Sequence, residues 1–315
     1  MQPDPFTIEL PSKVMLAGEY SVLSPGGEAL ALGTGNGFIV TCRPTDRPRI
    51  SLPDLELHQR LPYTPDMSTP SALSFVAAIL TSLSSHTGRQ WPCFHLEIRR
   101  HQEALNVGAS ASLVVGTALA VNRWCDLQLP VPILGRLCSE AHRRVQGTGS
   151  GYDVMTILAG GLVRFKSQTA SYFQRSKLKT GEVVAAFCGQ IADTRTQVER
   201  FLLWRRSSPD AGSLMQAHEV NSQQLITDLW EHGVTLQTGA LVSATEETLR
   251  RIADSGGLEL FTPEIEHLLA LSRTNGIPAR ISGAGGGDIV IGLCDDPARA
   301  RALRTVWSSA GYRIG

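Results

Sequence analysis

Apolar residues recur along this chain at two periods, close to two and close to 3.6, and the changes of period mark its elements. Phe6, Ile8 and Leu10 alternate with polar neighbours as in a strand, Pro11 breaks that run, and Val14 to Ala17 starts a second apolar stretch. A turn at Ser24 to Gly27 separates it from the run ending at Leu32, with Glu19 and Tyr20 in the loop region. GTGNG at Gly33 to Gly37 lacks the third glycine and the following helix of a dinucleotide fingerprint, and reads as a flexible crossing to a strand at Phe38 to Cys42. Proline and charge over residues 43 to 67 predict a surface hairpin and loop. Ser68 or Thr69 as cap and Pro70 at the first helical position then introduce a helix over Leu73 to Leu83, and Phe94, Leu96 and Ile98 alternate as a half-buried strand.

Leu105 to Val121 is the stretch around which the rest is organised: a glycine-containing turn that runs unbroken into an apolar helix pattern. The first amides of such a helix lack carbonyl partners and lie at the positive end of its dipole, which suits a polyphosphate; an ordinary core helix is the competing account. A further helix is predicted over Ile133 to Val145, and a glycine-rich loop, Gly147 to Asp153, then places a carboxylate at the entry to the apolar run Val154 to Ala159. Asp153 fits a reactive carboxylate and equally a helix-entry charge stabilised by the dipole. Short strands at Leu162 to Phe165 and Val183 to Phe187 flank a polar linker that holds the expected domain boundary. Thr194 and Thr196 are cap candidates, Arg195 is a possible anion contact, and helical patterns follow at about 212 to 232, 238 to 254 and 262 to 275. Arg280 to Asp288, RISGAGGGD, puts four glycines in five positions before the strand IVIGL, which points to close approach of a backbone or a ligand. A helix over Pro297 to Ser309 closes the pattern.

Composition narrows the function classes. At 315 residues the chain suits two closely packed domains. Lysine plus arginine and aspartate plus glutamate each total 29, so no global field draws in nucleic acid or an anionic membrane, and any phosphate binding has to be local. The six cysteines show no CxxC pair and no metal-ligand spacing, as expected of reduced core residues. MQPDPFTIELPSKV carries no basic leader, and no segment approaches about 18 uninterrupted apolar residues, so a soluble cytoplasmic protein is predicted.

Three separated stretches, PSKVMLAGEYSVLSPGGEAL, NVGASASL and SGAGGGD, resemble the three motifs of the GHMP small-molecule kinases in the family's order. AGEYSVLSPG, AH followed by QGTGSGYD, and the terminal aspartate of SGAGGGD are similar to the phosphomevalonate-kinase branch more than to the mevalonate or galactose kinases. The resemblance implies an α+β, two-domain fold: a ribosomal-S5-like domain over residues 1–175, a ferredoxin-like domain over 176–315, and an active site between them. It implies ATP with Mg2+ as cofactors, a small-molecule substrate, no nucleic-acid or membrane partner, and a monomer or homodimer.

By position, the resemblance makes Asp153 the catalytic aspartate and Lys13 the lysine of the first motif. Asn106, Val107, Gly108, Ala109, Ser110, Ala111 and Ser112 become the phosphate-cradling loop, with Ser110 able to help hold magnesium. Lys13, Glu19, Tyr20, Ser150, Gly151, Arg195, Arg280, Ser282, Gly283, Ala284, Gly285, Gly286 and Asp288 fall to substrate binding, and Lys13, Arg195 and Arg280 are the cations available to an acceptor phosphate. The chain departs from the family's GLGSSA, with Asn106 for the first glycine and Ala109 for the first serine. A metal-binding glutamate of some relatives would fall near His142, with Glu140 two residues away. The expected reaction is ATP-dependent phosphorylation of 5-phosphomevalonate to 5-diphosphomevalonate; mevalonate kinase, another GHMP kinase, or a non-catalytic ligand-binding homologue remain alternatives.

Overall fold

The structure is a computed structural model that describes residues 4–61, 71–91, 93–102, 108–167, 172–189 and 193–315. The chain divides into two compact units, the first made of Met1–Lys13, Gly33–Ala104 and Gly108–Gly160, the second chiefly of Val14–Leu32 and Gly161–Gly315. Two long strands, β1 (Phe6–Ala17) and β2 (Glu28–Pro44), contribute residues to both. Pro11 therefore does not break the first strand. Within its sheet β1 pairs only with β2, and an edge strand tolerates a residue without an N–H. GTGNG is likewise not a crossing but the middle of β2. At Gly37 a Cβ would stand 2.6 Å from the carbonyl of Pro11, so glycine is what lets the two strands close there.

In the first unit, β3 (Arg49–Leu52), β4 (Leu57–Arg60) and β5 (Phe94–Arg100) extend the sheet in the order β4-β3-β5-β2, with β3 and β5 parallel and the other pairs antiparallel. The expected surface hairpin of residues 43 to 67 is β3 and β4. Strand alternation sends Val40, Cys42, Ile50, Leu52, Leu96 and Ile98 to one buried face. That face is covered by residues of α1 (Ala72–Thr87), α2 (Ala109–Trp124) and α3 (Val131–Gln146), and α4 (Tyr152–Ala159) adds Val154 and Ile157 to the same core. The expected cap residues Ser68, Thr69 and Pro70 lie outside the described residues. α1 instead opens on Ser71, whose side chain forms a capping box with Ser74.

In the second unit, β8 (Glu182–Phe187), β9 (Ala279–Ile281), β10 (Ile289–Cys294) and β11 (Arg313–Ile314) form an antiparallel sheet in the order β11-β8-β10-β9. Both faces of β8 and β10 are buried. Val184, Ala186 and Val290 pack with α5 (Thr194–Ser207), α8 (Pro263–Thr274) and α9 (Pro297–Ser309), while Ala185, Ile289, Ile291 and Leu293 pack with α6 (Ala211–His232) and with Val14, Leu16 and Leu30. That explains why IVIGL reads as a continuous apolar run. α7 (Thr238–Gly256) contributes Leu249 and Ile252. The segment read as polar linker contains a strand, β7 (Tyr172–Ser176), which pairs with β6 (Gly161–Lys166) and sets Phe165 opposite Phe173. The cap of α5 is Asp193, whose carboxylate accepts from the Thr196 amide at 3.1 Å and its hydroxyl at 2.7 Å, rather than either threonine.

A buried histidine ties α6 to the loop after β1. His218 Nε2 donates to the Glu19 carbonyl at 2.9 Å, and its Nδ1 pairs with the Thr248 hydroxyl of α7 at 3.0 Å. Burial lowers its pKa to about 4, with the Arg280 charge acting in the same direction. Since the folded state holds the ring neutral, His218 leaves stability intact above the unfolded value near 6.5 and withdraws it as pH falls toward 4, by at most about 3 kcal/mol. Thermal midpoints measured from pH 7 to pH 4.5 should fall more steeply for the parent than for His218→Gln, which retains a donor and an acceptor but does not titrate; parallel profiles would exclude His218 as the acid-sensitive group.

Candidate active site

In the first unit, residues from three separate stretches meet around Lys13. Its Nζ donates to the Tyr152 hydroxyl at 2.9 Å and lies 5.0 Å from the ring centroid. Its aliphatic stem passes Gly108, where a Cβ would stand 3.1 Å from Lys13 Cγ and 3.2 Å from Ile157 Cδ1. Gly108 also has φ of +76° and is the N-cap of α2, without a capping side chain. The first intrahelical bond of α2 runs from the Ser112 amide to the Gly108 carbonyl at 2.9 Å, so the amides of Ala109, Ser110 and Ala111 precede the ladder and have no intrahelical acceptor. Such amides together form an anion-binding end. Asn106 and Val107 lie outside the described residues.

Ser110 and Asp153 converge on His142, a residue noticed in the sequence only for its position. His142 Nε2 is 2.9 Å from Ser110 Oγ and 3.8 Å from Asp153 Oδ2, and its buried ring packs on Phe75 at 5.3 Å. Asp153 sits in the first turn of α4, and its Oδ1 accepts from the Val154 amide at 2.9 Å. The carboxylate thus caps its own helix through one oxygen and presents the other to His142. Gly151, with φ of +89°, is the N-cap of α4, and the Ser150 hydroxyl accepts from the Tyr152 amide at 3.4 Å, a long contact. Glu140 is turned away, paired with Arg136 at 3.2 Å on an exposed face. Ser112 is fully buried.

In the second unit the remaining motif residues form their own cluster. Arg280 forms an ion pair with the Glu19 carboxylate, both side chains essentially inaccessible, and the Gly283 amide also donates to Glu19. Burial pushes the Glu19 carboxyl above its ordinary range, with Arg280 and that amide pulling it back. The Tyr20 hydroxyl donates to the Ala284 carbonyl at 2.5 Å and its ring packs on Phe201 at 4.5 Å, while the Met15 amide donates to Ser282 Oγ at 2.8 Å. The glycine excess of the third motif is a matter of backbone approach. At Gly285 a Cβ would lie 2.9 Å from the Leu260 carbonyl, which accepts from the Gly286 amide at 2.9 Å, and Gly283, Gly285 and Gly286 all have positive φ. Asp288, also at positive φ, accepts through its carbonyl from the Cys188 amide at 2.7 Å. Arg195 stands apart on the exposed first turn of α5, paired with Glu199 at 2.9 Å.

Sequence reasoning passed over two residues of these clusters. Tyr152 could have been found from its place beside Asp153 at a loop-to-helix junction; His218, 199 residues from Glu19, carried no local signal.

Comparison with known proteins identifies the family. The family model for the GHMP kinases N-terminal domain matches residues 74–161 and that for the GHMP kinases C terminal matches residues 239–313, together just over half of the chain. A phosphomevalonate kinase of Streptomyces sp. (strain CL190) is 25% identical over 96% of this chain and 93% of its own length. Among solved structures, Streptococcus pneumoniae phosphomevalonate kinase in complex with phosphomevalonate and AMPPNP superposes with a TM-score of 0.80 at 20% identity, covering 98% of this chain and 97% of that one. Methanococcus jannaschii mevalonate kinase gives the same TM-score at 19% identity, covering 100% and 98%. At these identities the two structures share the fold.

Removing one partner of a buried ion pair leaves the other charge without compensation, at a cost of about 3–5 kcal/mol. Arg280→Met should therefore lower the unfolding midpoint by several degrees, and Glu19→Leu should do the same. The double variant should be destabilised less than the two effects added; strict additivity would mean the pair is not coupled.

Proposed function

Because this chain belongs to the GHMP kinase family, we propose that it transfers the γ-phosphoryl group of ATP to a small phosphorylated alcohol-acid, 5-phosphomevalonate, as a step of isoprenoid precursor synthesis. The observation that carries the proposal is the meeting of Lys13 with the uncapped start of α2 while Ser110 and Asp153 face one histidine. Phosphoryl transfer requires chiefly positioning and charge neutralisation, and these residues supply an amide cradle, a cation and a carboxylate.

The amides at the start of α2, which have no intrahelical acceptor, would hold the nucleotide phosphates, with Lys13 against the γ-phosphoryl group. An oxygen of the acceptor phosphate forms a bond to the γ-phosphorus as the bond from that phosphorus to the β–γ bridging oxygen breaks, and the bridging oxygen leaves with ADP. A phosphate monoester is largely dianionic above about pH 6, so this acceptor arrives deprotonated and Asp153 acts through orientation and charge. Among the described residues no group of three or more His, Cys, Asp or Glu could form a metal cage. Magnesium in kinases takes one or two protein oxygens and completes its shell with phosphates and water, and Ser110 Oγ and the Asp153 carboxylate are hard oxygen donors that fit such an ion. Bound there, it would neutralise charge developing on the phosphate oxygens.

A second reading, with mevalonate as acceptor, draws support from the acceptor side. Of the three cations proposed for an acceptor phosphate, Arg280 is committed to Glu19 and Arg195 is exposed and paired with Glu199. An unphosphorylated acceptor needs no such cations, but its hydroxyl has to lose a proton, which Asp153 could take. ADP release from purified protein with mevalonate, 5-phosphomevalonate, homoserine and galactose separates these readings. Fastest turnover is expected with 5-phosphomevalonate; preference for mevalonate would select the second reading, and no turnover with any acceptor would leave a ligand-binding homologue.

Asp153→Asn preserves shape and removes charge. It should lower turnover about a hundredfold or more, on the scale of electrostatic contributions, with substrate affinity much less affected. Turnover within about threefold of the parent would leave Asp153 as only the cap of α4. Gly108→Val, which places a branched side chain against Lys13 and Ile157, should abolish nucleotide binding by calorimetry while circular dichroism stays unchanged; unaltered affinity would move the nucleotide elsewhere.

A further inference from the structure

Lys13 is one of only four lysines in the chain, against 25 arginines, and the other three are Lys166, Lys177 and Lys179. Throughout the first unit every other strong cation is an arginine. A lone lysine there marks a place that a guanidinium does not serve: the ammonium is a compact charge with three donors on a flexible stem, whereas the guanidinium is a wide planar fork. That flexibility has to be restrained for the charge to act at one point. The Gly108 backbone lies against the stem, and Tyr152 holds the head. At 2.9 Å from the hydroxyl oxygen and 5.0 Å from the ring centroid, Nζ lies at the hydroxyl end of the ring, in the direction of a phenolic lone pair, and not over the ring face. The hydroxyl, more than the π-face, makes this contact.

We infer that Tyr152 is a positioning residue for Lys13, its hydroxyl fixing the ammonium at the mouth of the α2 amide cradle. The inference rests on the kinase reading and deepens it: the first turn of α4 then sets both charges of the reaction, presenting the Asp153 carboxylate with one residue and aiming the Lys13 ammonium with its neighbour. Because the ammonium is ordered by the protein itself, the rotamer entropy of a lysine is already lost when substrate arrives.

Tyr152→Phe removes only the hydroxyl and tests this directly. Turnover should fall roughly tenfold, the scale of one hydrogen bond to a charged group, with the KM for ATP within about twofold of the parent. In a Lys13→Met background the same substitution should have no further effect. Unchanged turnover in the parent background, or an equal loss in both backgrounds, would overturn the inference. A second measurement does not depend on catalysis. Limited acylation with an amine reagent, read peptide by peptide in a mass spectrometer, reports Lys13 against Lys166, Lys177 and Lys179 as internal references. Tyr152→Phe should raise the relative labelling of Lys13 severalfold; an unchanged ratio overturns the positioning role. Absence of turnover in the parent with an altered ratio would instead overturn the kinase reading and leave the contact standing.

Discussion

The ion pair between Glu19 and Arg280 is the constraint on which the second half of the motif set depends. Among the described residues it is the one pair whose two side chains are both nearly inaccessible. Glu19 Oε1 and the Nε and Nη1 of Arg280 find no protein hydrogen-bond partner, so the pair is not an efficient source of stability. Its effect is on geometry. Glu19 comes from the loop after β1 and Arg280 from β9, so the pair fixes the first motif against the third. The Gly283 amide, the Tyr20 contact with Ala284 and the Met15 contact with Ser282 repeat that fixation three more times. A cation and a carboxylate that sequence reading would offer to a substrate are here used to hold backbone.

The first unit uses the opposite arrangement. Its polar contacts are partly open, and they converge on small groups, an ammonium, a serine hydroxyl and one carboxylate oxygen. Ser110 and Asp153 both face one histidine, His142. Its Nε2 makes a hydrogen bond with the Ser110 hydroxyl and stands 3.8 Å from the Asp153 carboxylate, whereas a second carboxylate beside Asp153 would add like charge unless a cation lay between them.

Much of the fold was legible in the sequence where amphipathic period and caps act together. The helices at Pro297–Ser309, Ala211–His232 and Pro263–Thr274 lie within a residue or two of their patterns because their apolar faces repeat over three or more turns. Strand continuity was not legible. Pro11 and GTGNG look like breaks, and only the pairing of β1 with β2 shows why an edge proline and a glycine at close approach are tolerated. β7 was hidden in polar composition because it ends the strand order, paired with β6, and its residues Gln174 and Arg175 are exposed. Of the candidate site, the resemblance located Lys13, Ser110 and Asp153, but not what touches them. Tyr152 and His142 acquire meaning only from residues 139 and 32 positions away, a separation no local pattern carries.

Both α2 and α4 begin at a glycine of positive φ, which has no side chain to close the first turn. At α2 this costs only a few tenths of a kcal/mol against a serine or aspartate cap and leaves the amides of Ala109, Ser110 and Ala111 without an intrahelical acceptor, whereas at α4 the Ser150 hydroxyl and the Asp153 carboxylate take the Tyr152 and Val154 amides. An anion seated on the α2 amides would return more than that, since binding to the folded state alone adds about 2.7 kcal/mol when a ligand's concentration is a hundred times its dissociation constant. The firmness of the α2 start would then depend on whether an anion occupies it, while that of α4 is set by Ser150 and Asp153.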